Sequence, residues 1–209
     1  MPASSQLSPP GPHQGFLFVR HGQSTDNAND MHSGGDADPE LSDLGRSQAA
    51  ATAKELHRRL AERLGDIRLI ASPLRRTTET ARIIAMELGI DPDAIAFEEG
   101  FLERRLGQWN GLTSAQVSQE VIRRSDVVPP GGEGHAEFRR RVGIVAHATA
   151  ALAGPHCLPL VVSSRGVGRV LGWYDMPNAG LFFWPAAFAD DLPGGSEQWP
   201  HPEPETDRR

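Results

Sequence analysis

The run Phe16-Leu17-Phe18-Val19 constrains this chain more than any other stretch, because four consecutive apolar residues stop abruptly at Arg20-His21-Gly22 and a polar, turn-prone segment. A short continuous apolar run between polar flanks predicts a strand buried on both faces. In open α/β sheets, ligands bind beyond the carboxyl ends of the strands, so chemistry is expected at the polar end of this run. Arg20 offers a permanent planar cation that matches phosphate oxygens two at a time. His21 can act as a nucleophile or proton carrier near neutral pH, and Gly22 would let backbone approach a ligand closely.

Strands and helices alternate down the rest of the chain. Ser42 is a good N-cap for a helix in which Ala49, Ala53, Leu56, Leu60 and Leu64 form an apolar stripe. Gly65 is the expected stop. A strand is predicted over 66–71, then a turn at Ser72-Pro73-Leu74 and a helix from Arg75. Backbone amides at a helix start attract anions, and an arginine there strengthens the effect. Further on, a short strand over 94–97, a long helix over 137–152, a buried strand over 158–163 and an edge strand ending at Trp184 are predicted. Phe138, Val142, Val145, Ala146 and Thr149 form the stripe of the long helix. This alternation predicts an α/β fold.

A chain of 209 residues suits one domain with a real core. We expect the domain over 15–188, between Ser/Pro-rich residues 1–14 and a Pro/Asp/Glu-rich tail, 189–209, both expected to be disordered. A net charge of −6 argues against nucleic acid as a partner. It leaves phosphate substrates open, because a few arginines in one pocket set the local field. The single cysteine, Cys157, excludes an internal disulfide framework. No apolar run approaches the ~20 residues of a membrane helix, and the N-terminus lacks the pattern of a secretory signal. The expectation is a cytoplasmic protein with neither membrane nor nucleic-acid partners, and its oligomeric state is open. His57, His147, His156 and His201 lack the spacing of metal ligands.

Three further segments, taken with the first, carry a resemblance. Arg20-His21-Gly22-x-Ser24-x-x-Asn27 is similar to the R-H-G-x-S-x-x-N signature of the histidine phosphatase (phosphoglycerate-mutase-like) superfamily. The helix opening at Leu41-Ser42 resembles that family's L-[ST]-x-x-G-x-x-Q-A. Ser72-x-Leu74-x-Arg76-Thr77-x-x-Thr80-Ala81 resembles its S-x-L-x-R-[AT]-x-x-T-A. Phe101-Leu102-Glu103 through Gly107-x-Trp109-Asn110-Gly111 resembles L-x-E-x-x-x-G-x-W-E-G, with Asn110 in place of glutamate. The resemblance runs from about Phe16 to Trp184 and implies a three-layer α/β/α sandwich around a mostly parallel sheet. One departure stands out: where the family has V-x-S-H-G-G-V-x-R, this chain reads Val162-Ser163-Ser164-Arg165-Gly166-Val167-Gly168-Arg169. Ser164 falls on the second pocket histidine and Arg165 on the glycine after it.

The resemblance implies a phosphomonoester hydrolase acting on a small phosphorylated metabolite through a phosphohistidine, with no cofactor and no metal. His21 would be the nucleophile and Glu103 the general acid. Arg20, Arg76, Asn27, Ser164 and Arg165 would bind the phosphate, and Gln23, Ser33 and Gly34 would lie along the substrate loop. The loop over 29–39 would pass over the site, with His32 expected in solvent. A phosphoglycerate mutase is an alternative, although Gly107-x-Trp109 favours the phosphatase branch. A phosphate-binding regulatory protein with lost turnover is the other alternative. It follows from Ser164, whose hydroxyl brings no charge, unless Arg165 restores one.

Overall fold

The computed structural model describes residues 15–123 and 126–185. The segments expected to be disordered, 1–14 and 189–209, lie outside the described residues, as does the end of the expected domain. Five strands form one sheet: β1 (Gly15–Arg20), β2 (Ile67–Ala71), β3 (Ala96–Phe97), β4 (Leu158–Ser163) and β5 (Leu181–Pro185). Their order is β3-β2-β4-β1-β5, with every neighbour parallel except the antiparallel edge pair β1–β5.

The opening apolar run forms the interior strand β1, between β4 and the edge strand β5, and successive residues serve opposite faces. Phe16 and Phe18 join one core with Phe101, Phe138, Val142 and Trp184. Leu17 and Val19 join the other with Ala53, Leu56, Ala81 and Ile84. Phe16, Phe18 and Val19 are wholly buried; each large apolar side chain removed from water contributes about 1.5–3 kcal/mol. Helices α2 (Asp43–Leu60) and α3 (Arg75–Leu88) cover the second core, and α5 (His135–Ala150) and α6 (Arg165–Val170) the first. The three-layer α/β/α arrangement around a mostly parallel sheet follows.

Two short helices, α1 (Thr25–Ala28) and α4 (Gln119–Arg123), have no counterpart in the sequence reading. Ser24 caps α1 in a reciprocal capping box with Asn27. Ser42 caps α2, its hydroxyl accepting from Gly45 N–H at 3.1 Å. The end of α2 differs from expectation. It stops at Leu60, and a 3₁₀ turn over Ala61–Asp66 carries the chain into β2, so Gly65 lies within a tightened turn and does not cap the helix. The long helix α5 begins at His135 and ends at Ala150, two residues earlier at each end than its apolar stripe predicted. Among the described residues, no helix is long and apolar enough to cross a membrane.

Candidate active site

The parallel strands β1, β2 and β4 end side by side, and their carboxyl ends carry the key residues. Arg20 stands opposite Ser163 in register, and His21 N–H donates to the Ser163 carbonyl at 2.9 Å. Ser164 and His21 are thereby neighbours. The loop after β1 is held by the sequence motifs themselves. Gln48 Oε1 accepts from Gln23 N–H, Ser42 Oγ donates to Gln23 Oε1, and Thr80 Oγ1 accepts from Gly22 N–H. Gly22 serves this packing rather than a ligand: a Cβ there would stand 2.2 Å from the Gly45 carbonyl oxygen.

His21 is buried, 4% exposed. Its Nδ1 lies 2.6 Å from the Gly22 carbonyl oxygen. A carbonyl can only accept, so Nδ1 carries the proton and Nε2 keeps its lone pair. Burial, then the charges of Arg76 and Arg20, push its pKa well below 6.5 against the opposing pull of the Gly22 bond. The imidazole is therefore neutral at physiological pH. Arg20 donates Nη1–H to the Met176 carbonyl at 2.7 Å, leaving its buried Nε without a protein partner. Arg76, 1% exposed, is fixed by the carbonyls of Ala37 and Gly34. Burial, then repulsion from Arg165, brings Arg20 down to about 9, still cationic at neutral pH.

Glu103 is held from three sides. Its Oε1 accepts from Arg104 N–H and its Oε2 from Gly166 N–H, each at 2.8 Å. The backbone before it is anchored by Ser163 Oγ, which donates to the Phe101 carbonyl at 2.6 Å. Arg141 then donates to the carbonyls of Gly100, Leu102 and Glu103 while pairing both oxygens of Glu133. Glu133 is 1% exposed; burial raises its pKa, but the bonds and charge of Arg141 outweigh this and leave it below the ordinary value. Arg104 spends its guanidinium on the carbonyls of Glu133, Ile122 and Val127, tying down the segment that walls the site.

These residues border a cavity of about 420 Å³. Arg20, His21, Arg76, Glu103 and Arg165 all line it, as do Asn27 and Ser33. Ser33 donates to Asp26 Oδ2, and Asn27 Oδ1 accepts within its capping box. Ser164 is 1% exposed and outside the lining, and its Oγ has no protein partner. Gln23 and Gly34 are also outside the lining: Gln23 binds Ser42, while Gly34 donates to Asn110 and accepts from Arg76. Asn110 suits its place, since its amide donates to Asp36 Oδ1 at 2.7 Å; a glutamate there would set two carboxylates together.

His32 is buried instead of solvated. Its Nε2–H donates to the Val117 carbonyl at 2.6 Å, and its Nδ1 lies 3.3 Å from Gln119 Nε2. This orients the Gln119 carbonyl oxygen toward Arg165, whose Nη2 donates to it at 3.0 Å. Gln119, Arg141 and Arg104 escaped the sequence reading, and Glu133, in a segment resembling the family's P-x-G-E-S, was given no role by it. A glutamate in the Gly131-Gly132-Glu133 loop facing an arginine two helical turns on was the one available signal.

The family described as the histidine phosphatase superfamily (branch 1) matches residues 16–184, and the chain belongs to it. Glucosyl-3-phosphoglycerate phosphatase of Mycobacterium tuberculosis is 32% identical over 133 residues, 60% of this chain and 56% of its own length. The 2,3-bisphosphoglycerate-dependent phosphoglycerate mutase of Methylocella silvestris is 34% identical over 135 residues, 61% of this chain and 64% of its own. The chain thus spans less than two thirds of either relative. Among solved structures, mycobacterial glucosyl-3-phosphoglycerate phosphatase in complex with VO3 has a TM-score of 0.65 at 25% identity, over 81% of this chain and 90% of that one.

Proposed function

We propose that this chain hydrolyses a phosphomonoester by passing the phosphoryl group first to His21 Nε2 and then to water. The observation that carries the reading is the bond from His21 Nδ1 to the Gly22 carbonyl, which leaves the opposite nitrogen unprotonated. In the first step Nε2 attacks phosphorus in line and the ester P–O bond breaks, while Glu103 gives its proton to the leaving oxygen. In the second, the Glu103 carboxylate takes a proton from water, the water oxygen attacks phosphorus, and the P–N bond breaks. Inorganic phosphate leaves and His21 returns to its neutral form. Arg20 and Arg76 offset the charge on the equatorial oxygens, the contribution that usually dominates such catalysis. The unpartnered Nε of Arg20, a residue of the cavity lining, suits an acceptor oxygen of a phosphoryl group. Arg165 supplies charge to the same cavity, compensating for the family's second histidine. The substrate is a small phosphorylated metabolite met in the cytoplasm, in line with relatives named for phosphoglycerate-bearing compounds.

Ser164 supports a second reading, a phosphate-binding protein with impaired turnover, because loss of one charge-stabilising donor costs about 10²–10³-fold in rate. Turnover of p-nitrophenyl phosphate and a panel of phosphorylated metabolites, by wild type and His21→Ala, separates the two. Turnover lost in the variant supports the phosphatase. Phosphate binding without turnover in wild type supports the other.

A further inference from the structure

Arg165 is the first residue of α6, and its charge reaches the reacting group from there. Burial first, then Arg165, lowers Arg20 to about 9. Arg165 also joins burial, Arg76 and Arg20 in pushing His21 below 6.5. An arginine side chain has many rotamers to lose, so whatever holds it decides how well its charge is aimed. Here the holder is a chain of three hydrogen bonds. Gln119 Oε1 accepts from Arg165 Nη2 at 3.0 Å, and Gln119 Nε2 lies 3.3 Å from His32 Nδ1. At the far end, His32 Nε2 lies 2.6 Å from the Val117 carbonyl oxygen. The backbone of His32 is itself fixed, its N–H donating to the Leu112 carbonyl and its carbonyl accepting from Gly111 N–H, each at 2.9 Å.

We propose that His32 and Gln119 are positioning residues for phosphoryl transfer: His32, through the Gln119 amide, aims Arg165 into the cavity. The inference rests on the reading of Arg165 as the compensating charge and adds what makes that charge usable. The two ends of the chain admit one arrangement, because a carbonyl only accepts and a guanidinium only donates. Val117 therefore requires the proton on His32 Nε2, which leaves Nδ1 a bare acceptor. Nδ1 takes a hydrogen bond from the Gln119 NH2 group, and the amide oxygen is turned to Arg165. Turning the amide over would set donor against donor at Arg165 and lone pair against lone pair at Nδ1. His32, Gln119 and Arg165 all border the cavity, so the chain runs along its wall. Its effect on the reaction passes through the one member that carries a permanent charge.

Two amide substitutions separate the bonds of the imidazole. His32→Asn keeps an acceptor near the position of Nδ1 and gives up the Val117 bond, whereas His32→Gln keeps a donor near Nε2 and gives up the acceptor. In kcat/KM for p-nitrophenyl phosphate, His32→Gln and Gln119→Leu should each lose about tenfold, the effect of one hydrogen bond to a charged group. His32→Asn should lose clearly less. In an Arg165→Ala background, His32→Gln and Gln119→Leu should change kcat/KM by less than about twofold, because groups acting through one side chain are not additive. Losses undiminished in that background would overturn the positioning role, as would equal losses for His32→Asn and His32→Gln. If Arg165→Ala alone matches wild type, the compensating charge and its positioning fall together. If Arg165→Ala loses activity while His32→Gln and Gln119→Leu do not, the positioning alone falls. If wild type turns over no ester, the phosphatase reading fails separately, and calorimetric titration of inorganic phosphate into the same variants decides the positioning by the same ratios.

Discussion

Gly166 N–H donates to Glu103 Oε2 at 2.8 Å, and a Cβ on residue 166 would stand 1.9 Å from Glu103 Oε1. The carboxyl group and the glycine are a matched pair, the backbone of α6 pressing where a side chain would displace the acid. Gly166→Ala should therefore resemble Glu103→Gln in its kinetics. Both should lower kcat/KM for an alkyl or sugar phosphate by about 10²–10⁴, the usual range for a lost general acid. Nitrophenol needs little protonation to leave, so p-nitrophenyl phosphate should lose far less. Equal losses on the two substrate types would remove Glu103 from the role of acid.

Arg165 lines the cavity, bonded to Gln119, one residue after Ser164. Arg165→Ala should lower activity or phosphate affinity at least tenfold. The double variant Ser164→His, Arg165→Gly should retain turnover. If Arg165→Ala matches wild type while the double variant gains strongly, the arginine does not compensate and the natural protein is an impaired phosphatase.

The pH behaviour of His21 follows from its surroundings. Burial and two arginines hold its pKa well below 6.5, so the folded protein binds fewer protons there than the unfolded chain. Stability from this site is present above the ordinary value of 6.5 and is lost as pH falls through it toward the folded pKa. Nitrogen-15 spectra at pH 6.5 should show His21 with a protonated Nδ1 and a bare Nε2. A titration midpoint at 6.5 would contradict the assignment.

Arg141→Leu should cost about 3–5 kcal/mol in urea unfolding, because removing one partner strands a buried charge. The stranded group is Glu133, and the carbonyls of Gly100, Leu102 and Glu103 lose a donor as well. Glu133 has a lowered folded pKa, so the wild-type contribution is present above the ordinary carboxylate value. It is lost as pH falls through the folded one. The gap between wild type and variant should accordingly narrow in acid. A gap below 1 kcal/mol at neutral pH would mean that the clamp is dispensable.

Local pattern sufficed for the parts of this molecule that depend on near neighbours. The four-residue apolar run, the Ser42 cap and the arginine at the start of α3 each state their structure within a few residues. The positions of Arg20, His21, Arg76 and Glu103 around one cavity were legible through motif order. What sequence withheld depends on contacts between distant segments. Arg141 reaches Glu103 across 38 residues and Arg165 reaches Gln119 across 46, and no periodicity encodes such pairs. His32 reads as a loop histidine until Val117 and Gln119 close over it. Asn110 reads as a departure until Asp36 is found beside it.

The central claim is that His21 Nε2 takes the phosphoryl group. Rapid quench of wild type with a phosphorus-32-labelled substrate tests it most directly. Acid-labile, base-stable phosphate should be trapped on His21, and His21→Ala should lose both label and turnover. Label persisting in His21→Ala, or turnover of wild type with none of the label on this histidine, would contradict it.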